Sequence, residues 1–217
     1  MKRIIISIHI ALLLIATGCS QNSEMKKAAD QVENNYKTPQ EAFNYAKANL
    51  HMILNESQIK SFGLGSAEEI KQLVVTNEVP LLLLPMDQLK DSTMKTASDA
   101  IVYALGNEKS PKICISVRNP SGKFWIISTI GLKKYSDALA NQAGVTGIVE
   151  VMGLEISLLE IQTDSVKLYK PVADYRGAKI YQDRTYQAAE ILQSLEAYRA
   201  ELERKFGKDF STGNIEM

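Results

Sequence analysis

The side chains of this 217-residue chain with the clearest chemical potential are two cysteines, two histidines and a few carboxylates and hydroxyls. Cys114 stands between Ile113 and Ile115, with no neighbouring His or basic cluster. A thiol becomes a good nucleophile when nearby positive charge lowers its pKa, so Cys114 reads as a small core residue. His9 falls in an apolar leader, which leaves His51 as the only other histidine. Histidine triads and multi-His zinc sites therefore cannot be assembled in one chain. On helical spacing His51 shares a polar face with Asn44, Lys47 and Asn55, which makes it a surface residue. Glu150 and Glu155 are a carboxylate pair of the type that serves glycoside hydrolysis at a set separation. Their odd and even positions in a β-rich stretch place them on opposite sheet faces, as solvated charges.

Two short motifs carry more specific expectations. Ser57-Gln58-Ile59-Lys60 resembles the S-x-x-K of penicillin-binding proteins and β-lactamases, which implies a Ser nucleophile at the start of a helix with S-D-N and K-T-G partners. Only fragments of the partners exist here, Ser136-Asp137-Ala138 and Lys95-Thr96-Ala97, and Ser57 is expected past the end of a helix. Gly63-Leu64-Gly65-Ser66 is superficially similar to a glycine-rich phosphate loop, which requires a preceding strand and G-x-x-x-x-G-K-[ST]. Both are missing, and a helix-capping turn explains it better. No catalytic, cofactor-binding or metal-binding residue is assigned.

The other cysteine, Cys19, sits in an informative context. Met1-Lys2-Arg3 precedes an apolar run, Ile4 to Ile15, which Ala16-Thr17-Gly18-Cys19 closes. About a dozen apolar residues behind a basic start is the length of a signal peptide, short of the roughly 20 a membrane span needs. Ala16-Thr17-Gly18-Cys19 resembles the lipobox of bacterial lipoproteins, although those usually carry Leu where this chain has Ala16. The resemblance implies a diacylglyceryl thioether on Cys19, removal of residues 1–18, palmitate-type acylation and a membrane anchor on the cell envelope. Ser20 in place of Asp leans, by the same resemblance, toward the outer membrane where the source has two. Ala16-x-Gly18 also fits the cleavage site of a freely secreted protein. The two readings differ on thiols: lipid on Cys19 leaves Cys114 without a disulfide partner, whereas free secretion leaves a bridge open.

Loss of Lys2 and Arg3 with the leader leaves 23 bases against 25 acids, a net charge of −2 on 199 residues. No basic footprint for nucleic acid exists, and that length suits one domain. Residues 19–37, rich in Ser, Asn, Gln, Lys and Glu, read as lipid attachment and tether, with weak helical spacing in part of them. A single domain follows over 38–210, and 211–217 is a tail.

Thr38-Pro39-Gln40-Glu41 supplies a capping residue, Pro at the first helical position and Glu at the third, so a helix should run to about Asn55. Ser66-Ala67-Glu68-Glu69 should open a short second helix. Val79 to Pro85, closed by prolines, suits a strand at a sheet edge. Ala100 to Leu105 is another strand, and Lys112–Val117 with Lys123–Ile130 form the clearest hairpin. There Ile113, Ile115 and Val117 share one face, and the sheet should have a core side and a wetter side. A helix from about Tyr135 to Ala143, a β-rich stretch from Ile148 to Gln162 and a strand from Val166 to Tyr169 follow. A last helix, capped by Thr185 or Asp183, should bury Ala188, Ile191, Leu192, Leu195, Leu202 and Phe206 before Gly207. The expected class is α+β, a mainly antiparallel sheet of about five to six strands packed with N-terminal and C-terminal helices.

Gly122-Lys123-Phe124-Trp125-Ile126-Ile127-Ser128 resembles a strand found in small exported modules, including cystatin-like and NTF2-like folds. The resemblance implies architecture and not activity, and Trp125 reads as a packing residue. The leading functional expectation is an envelope-tethered, non-catalytic binding module, contacting the membrane through Cys19 and another envelope protein, peptide or polymer through a sheet face or edge. An inhibitor or chaperone of a co-exported hydrolase comes second, and a hydrolase using carboxylates or Ser57 with Lys60 comes last. Mass spectrometry of the mature N-terminus should find residues 1–18 gone and a diacylglyceryl group on Cys19; a free Cys19 thiol would remove the anchor.

Overall fold

The computed structural model describes residues 35–86, 89, 94, 96–107 and 110–207; Cys19, the leader, most of the tether, Lys95 and the 211–217 tail lie outside them. The fold is α+β. Thr38 caps α1 (Pro39–Ile53) by accepting the Glu41 N–H at 3.1 Å, and Ala42, Phe43, Ala46 and Leu50 form its buried stripe. Two short helices follow, α2 (Glu56–Ser61) and α3 (Ala67–Gln72). The first was not anticipated: Asn55 and Gln58 cap each other reciprocally, so Ser57 lies inside a helix and not beyond one.

Seven strands then build one sheet, β1 (Val74–Leu84), β2 (Ala97–Asn107), β3 (Ser110–Arg118), β4 (Ile126–Ile130), β5 (Val145–Val151), β6 (Ile156–Gln162) and β7 (Lys167–Pro171). Their order is β4-β3-β2-β1-β5-β6-β7. That is more than the five or six expected, because the long β-rich stretch folds back on itself as β5 and β6. Two antiparallel meanders run outward from a central pair, β1 and β5, which is parallel. A parallel neighbour cannot be reached by a tight turn, so α4 (Lys133–Ala140) carries the chain across between β4 and β5.

β1 is therefore central and not an edge strand. Its internal Pro80 is tolerated because pairing with β5 begins only at Leu81, one residue beyond the proline. The sheet is also buried on both faces. Ile113, Ile115 and Val117 point toward α1, α2 and α3, where Phe43 stacks on Tyr103 with centroids 4.2 Å apart. On the same face of the other half, α5 (Ala188–Phe206) covers Val149, Val151, Ile156 and Leu158. The opposite face carries Val102, Cys114, Ile148 and Leu159 beneath α4. Alternation in β3 thus separates two packed faces, and the expected wetter side is occupied near its centre.

The C-terminal helix begins later than expected, capped by Gln187 with Glu190 in place of Thr185 or Asp183, and Gly207 ends it. Ile191, Leu192 and Leu195 are buried there, whereas Phe206 is exposed. Where β2 turns into β3, backbones approach so closely that a Cβ on Gly106 would stand 2.0 Å from the Ser110 carbonyl oxygen. Gly106→Ala should cost about 1–3 kcal/mol of unfolding free energy, read by urea denaturation; an unchanged midpoint would contradict this packing.

Candidate functional site

One helix of eight residues is all that α4 offers to a face seven strands wide. Tyr135, Ala138 and Leu139 bury against the sheet centre, and the margins carry polar groups instead. Among the described residues a recess lies on each side of α4.

The first, about 100 Å³, lies toward β1–β4 and is lined by Asp99, Ser116, Arg118, Ser128, Tyr135 and Glu150 among others. Arg118 Nη2 stands 3.7 Å from Asp99 Oδ2, while Asp99 Oδ1 and Arg118 Nε have no protein partner. Beside it the Tyr135 hydroxyl donates to the Glu150 carboxylate, and Ser157 Oγ lies 3.3 Å from the same hydroxyl. Lys134 Nζ donates to Ser157 Oγ at 3.1 Å and stands 4.0 Å from Glu150 Oε1. Tyr175 closes the cluster, its hydroxyl accepting the Ser157 N–H at 2.9 Å.

A serine within hydrogen-bond reach of a lysine has the outline of a nucleophile and its base. Here the outline lacks access. Ser157 is 1% exposed, and its Oγ is held beneath Lys134 and Tyr135 with no open side for a carbonyl to approach. Burial, then the hydrogen bond to Glu150, pushes the Tyr135 phenol far above its ordinary range. It therefore stays protonated and keeps donating to Glu150. The cluster ties α4 to β5 and β6, and Glu150 is a tyrosine's acceptor where a freely solvated charge was expected.

The second recess is an open cleft of about 680 Å³ on the β6–β7 side. The last turn of α4 supplies Asp137 and Asn141, β7 supplies Lys170, and the loop before α5 supplies Asp174, Tyr181 and Arg184. That loop is braced. A 3-10 turn (Arg176–Ala178) is flanked by a Tyr175–Ile180 bridge, the Gln182 N–H donates to Asp174 Oδ1 at 2.9 Å, and the Tyr181 N–H donates to the Tyr186 hydroxyl at 2.9 Å. The Arg184 guanidinium lies 5.0 Å over the Tyr186 ring. Leu159, Ala138 and Pro171 provide an apolar floor between charges of both signs. Such a surface suits a ligand with an apolar body and both an amine and a carboxylate.

The residues considered from sequence are not brought together. Ser57 and Lys60 are exposed on α2, Ser136–Ala138 lies in α4, and His51 is in the last turn of α1. Glu155 sits in the β5–β6 turn with φ 53°, away from any strand face. Gly63 to Ser66 forms the expected cap, with the Gly65 N–H donating to Glu69 Oε2 at 3.1 Å. Cys114 is a buried free thiol, pushed up to about 12 by burial and then by the charge of Asp137. Glu160 was missed: 7% exposed on the α5 side, it accepts from Thr146 at 3.1 Å and from Tyr169 at 3.4 Å, and pairs with Lys167 at 3.1 Å. Among the described residues no group of three or more His, Cys, Asp or Glu side chains could hold a metal ion. Compared with protein-family models, curated proteins and solved structures, the chain matches none.

The tyrosines predict a pH dependence. Burial first, then Glu160 and Glu78 respectively, pushes Tyr169 and Tyr103 up to about 12. Unfolded tyrosine titrates near 10, so the stability tied to the neutral phenols is complete below about pH 10. It is lost as pH climbs from about 10 to 12, because the unfolded chain releases those protons first. The urea midpoint should fall through that window, and less steeply in Tyr169→Phe; a midpoint constant to pH 11.5 would count against the assignment.

Proposed function

We propose that the protein is an exported, lipid-anchored binding module, held on the cell envelope through Cys19, whose contact surface is the open cleft beside α4. The observation that carries the binding role is the cleft: 680 Å³, braced walls, an apolar floor, and Asp137, Asp174 and Asp183 facing Lys170 and Arg184. In the small recess Lys134, Tyr135, Glu150 and Ser157 are bound to one another, whereas the cleft holds its charges open to a ligand. Export and anchoring rest on Lys2-Arg3, the apolar run and Ala16-Thr17-Gly18-Cys19. No helix among the described residues is long and apolar enough to cross a membrane. The proposed ligand is a peptide segment of an envelope partner that presents an amine and a carboxylate.

Titration of the chain from residue 20 onward, labelled with ¹⁵N, tests this with a free tetrapeptide and its acetylated, amidated analogue. The free peptide should shift amide resonances within 137–141 and 170–184, and the capped analogue should not. Asp174→Asn with Arg184→Gln should weaken binding about tenfold, equivalent to about 1.4 kcal/mol. Shifts confined to other surfaces, or none at millimolar peptide, would reject the cleft as a peptide site.

A further inference from the structure

At the opposite edge of the sheet, aromatic side chains gather at one corner. Phe124 is 45% exposed and Tyr45 39%, the Tyr36 and Tyr45 rings lie 5.6 Å apart, and Trp125 is half-buried. Exposed Lys37 and Lys123 flank them, with Glu41 engaged by the Lys37 backbone N–H at 2.9 Å. The segment that bears Cys19 joins the domain at this same corner. Tyr36 and Trp125 exchange both backbone hydrogen bonds, at 2.9 and 2.8 Å.

We propose that this corner seats in the phospholipid interface of the membrane that holds the chain, with Phe124, Tyr45 and Trp125 at headgroup depth and Lys37 and Lys123 toward anionic lipid. The proposal rests on the lipid-anchor reading. Trp and Tyr are the side chains that settle at membrane–water interfaces, because an apolar ring with a polar edge matches that boundary. Lysines beside them are attracted by anionic headgroups. Geometry makes this contact the easiest one for the tether to permit. Residues 20–35 extend to at most about 50–60 Å, so the domain remains at high effective concentration over the bilayer and even a weak contact is populated. The corner that the tether joins meets the surface with the least chain to order. Docking this way has a consequence for the cleft. β4 and β7 are the two edges of the sheet, six strand spacings apart, so at about 4.8 Å each the β7 side stands roughly 29 Å from the β4 edge. The cleft, on the β6–β7 side, then stands clear of the bilayer.

Trp125 is the only tryptophan, so its fluorescence reports the corner alone. The test uses the chain from residue 19 onward, coupled through the Cys19 thiol to a maleimide-headgroup lipid in vesicles of phosphatidylethanolamine and phosphatidylglycerol. Cys114 is buried and spared by the coupling. Tethering at Cys19 is thereby imposed, so a native N-terminus found without lipid would refute the anchor while the corner is still read. Trp125 emission should shift to the blue and be quenched by phospholipids brominated near the headgroup. Phe124→Ser with Tyr45→Ser should at least halve that quenching while the chain still floats with the vesicles and its thermal melting is unchanged. Tethered protein whose Trp125 emission matches that of the chain in buffer, unquenched by brominated lipid, would overturn the proposal.

Discussion

The parallel pairing of β1 with β5 is the constraint from which the rest of the architecture follows. Leu81 to Leu84 lie beside Ile148 to Val151 in the same direction, so the chain must return across the sheet between β4 and β5. That return is α4, suspended from β3 where the Gly131 N–H donates to the Cys114 carbonyl at 2.9 Å. A helix of two turns covers only the middle of its face. Apolar residues crowd beneath it, Val102, Cys114, Ile148 and Leu159, and polar residues take over where its cover stops. Both recesses are margins of that one helix. On the other face α1 to α3 and α5 divide the sheet between them, and Glu160 there is enclosed by Thr146, Tyr169 and Lys167.

Tyrosine and carboxylate meet on each face, and the two pairs do different work. Glu150 retains solvent contact and fixes the rotation of α4 through Tyr135, with Ser157 and Tyr175 completing the bonds that burial demands. Glu160 is nearly sealed, so its charge relies on Lys167 and two hydroxyls for what water would supply. An apolar substitute at either position would take from a tyrosine hydroxyl its carboxylate acceptor in a packed interior, a cost comparable to losing a hydrogen bond. These pairs specify which way α4 and β7 face more than they add to the burial energy of the core.

Features with local causes were legible in the sequence. Thr38-Pro39 and Gly207 mark helix ends because caps act within four residues, and Ile113, Ile115 and Val117 revealed their shared face by period two. Asn55-Glu56-Ser57-Gln58 carries an equally local signal, a capping box with Asn in place of Ser or Thr. Pro80 misled for a definable reason. A proline argues against a central strand only if its missing N–H falls in a ladder, and the ladder to β5 starts one residue later. The second packed face was hidden because Ser116, buried beside Cys114 in β3, has the polar side chain of a solvated face. The candidate site was the least legible part. Lys134, Tyr135, Glu150, Ser157 and Tyr175 are separated by 15 to 23 positions in their key contacts, and no periodicity links them.

The same separation explains why the cleft is composed as it is. Its walls come from elements that fold for other reasons: α4 from the crossover, β7 from the outward meander, and the loop from the need to carry the chain from β7 over the sheet edge to α5. The loop is rigid because Tyr186 is doubly used, its backbone bridging Tyr169 while its hydroxyl receives the Tyr181 N–H. That brace holds Tyr181, Asp183 and Arg184 outward at fixed positions without any of them serving the core. Exposed charges on a braced loop lose little conformational freedom when a ligand arrives, which is the condition under which weak polar contacts contribute to affinity. Residues that neither pack nor cap, yet are held in place by others that do, are where a binding surface can diversify without disturbing the sheet beneath it.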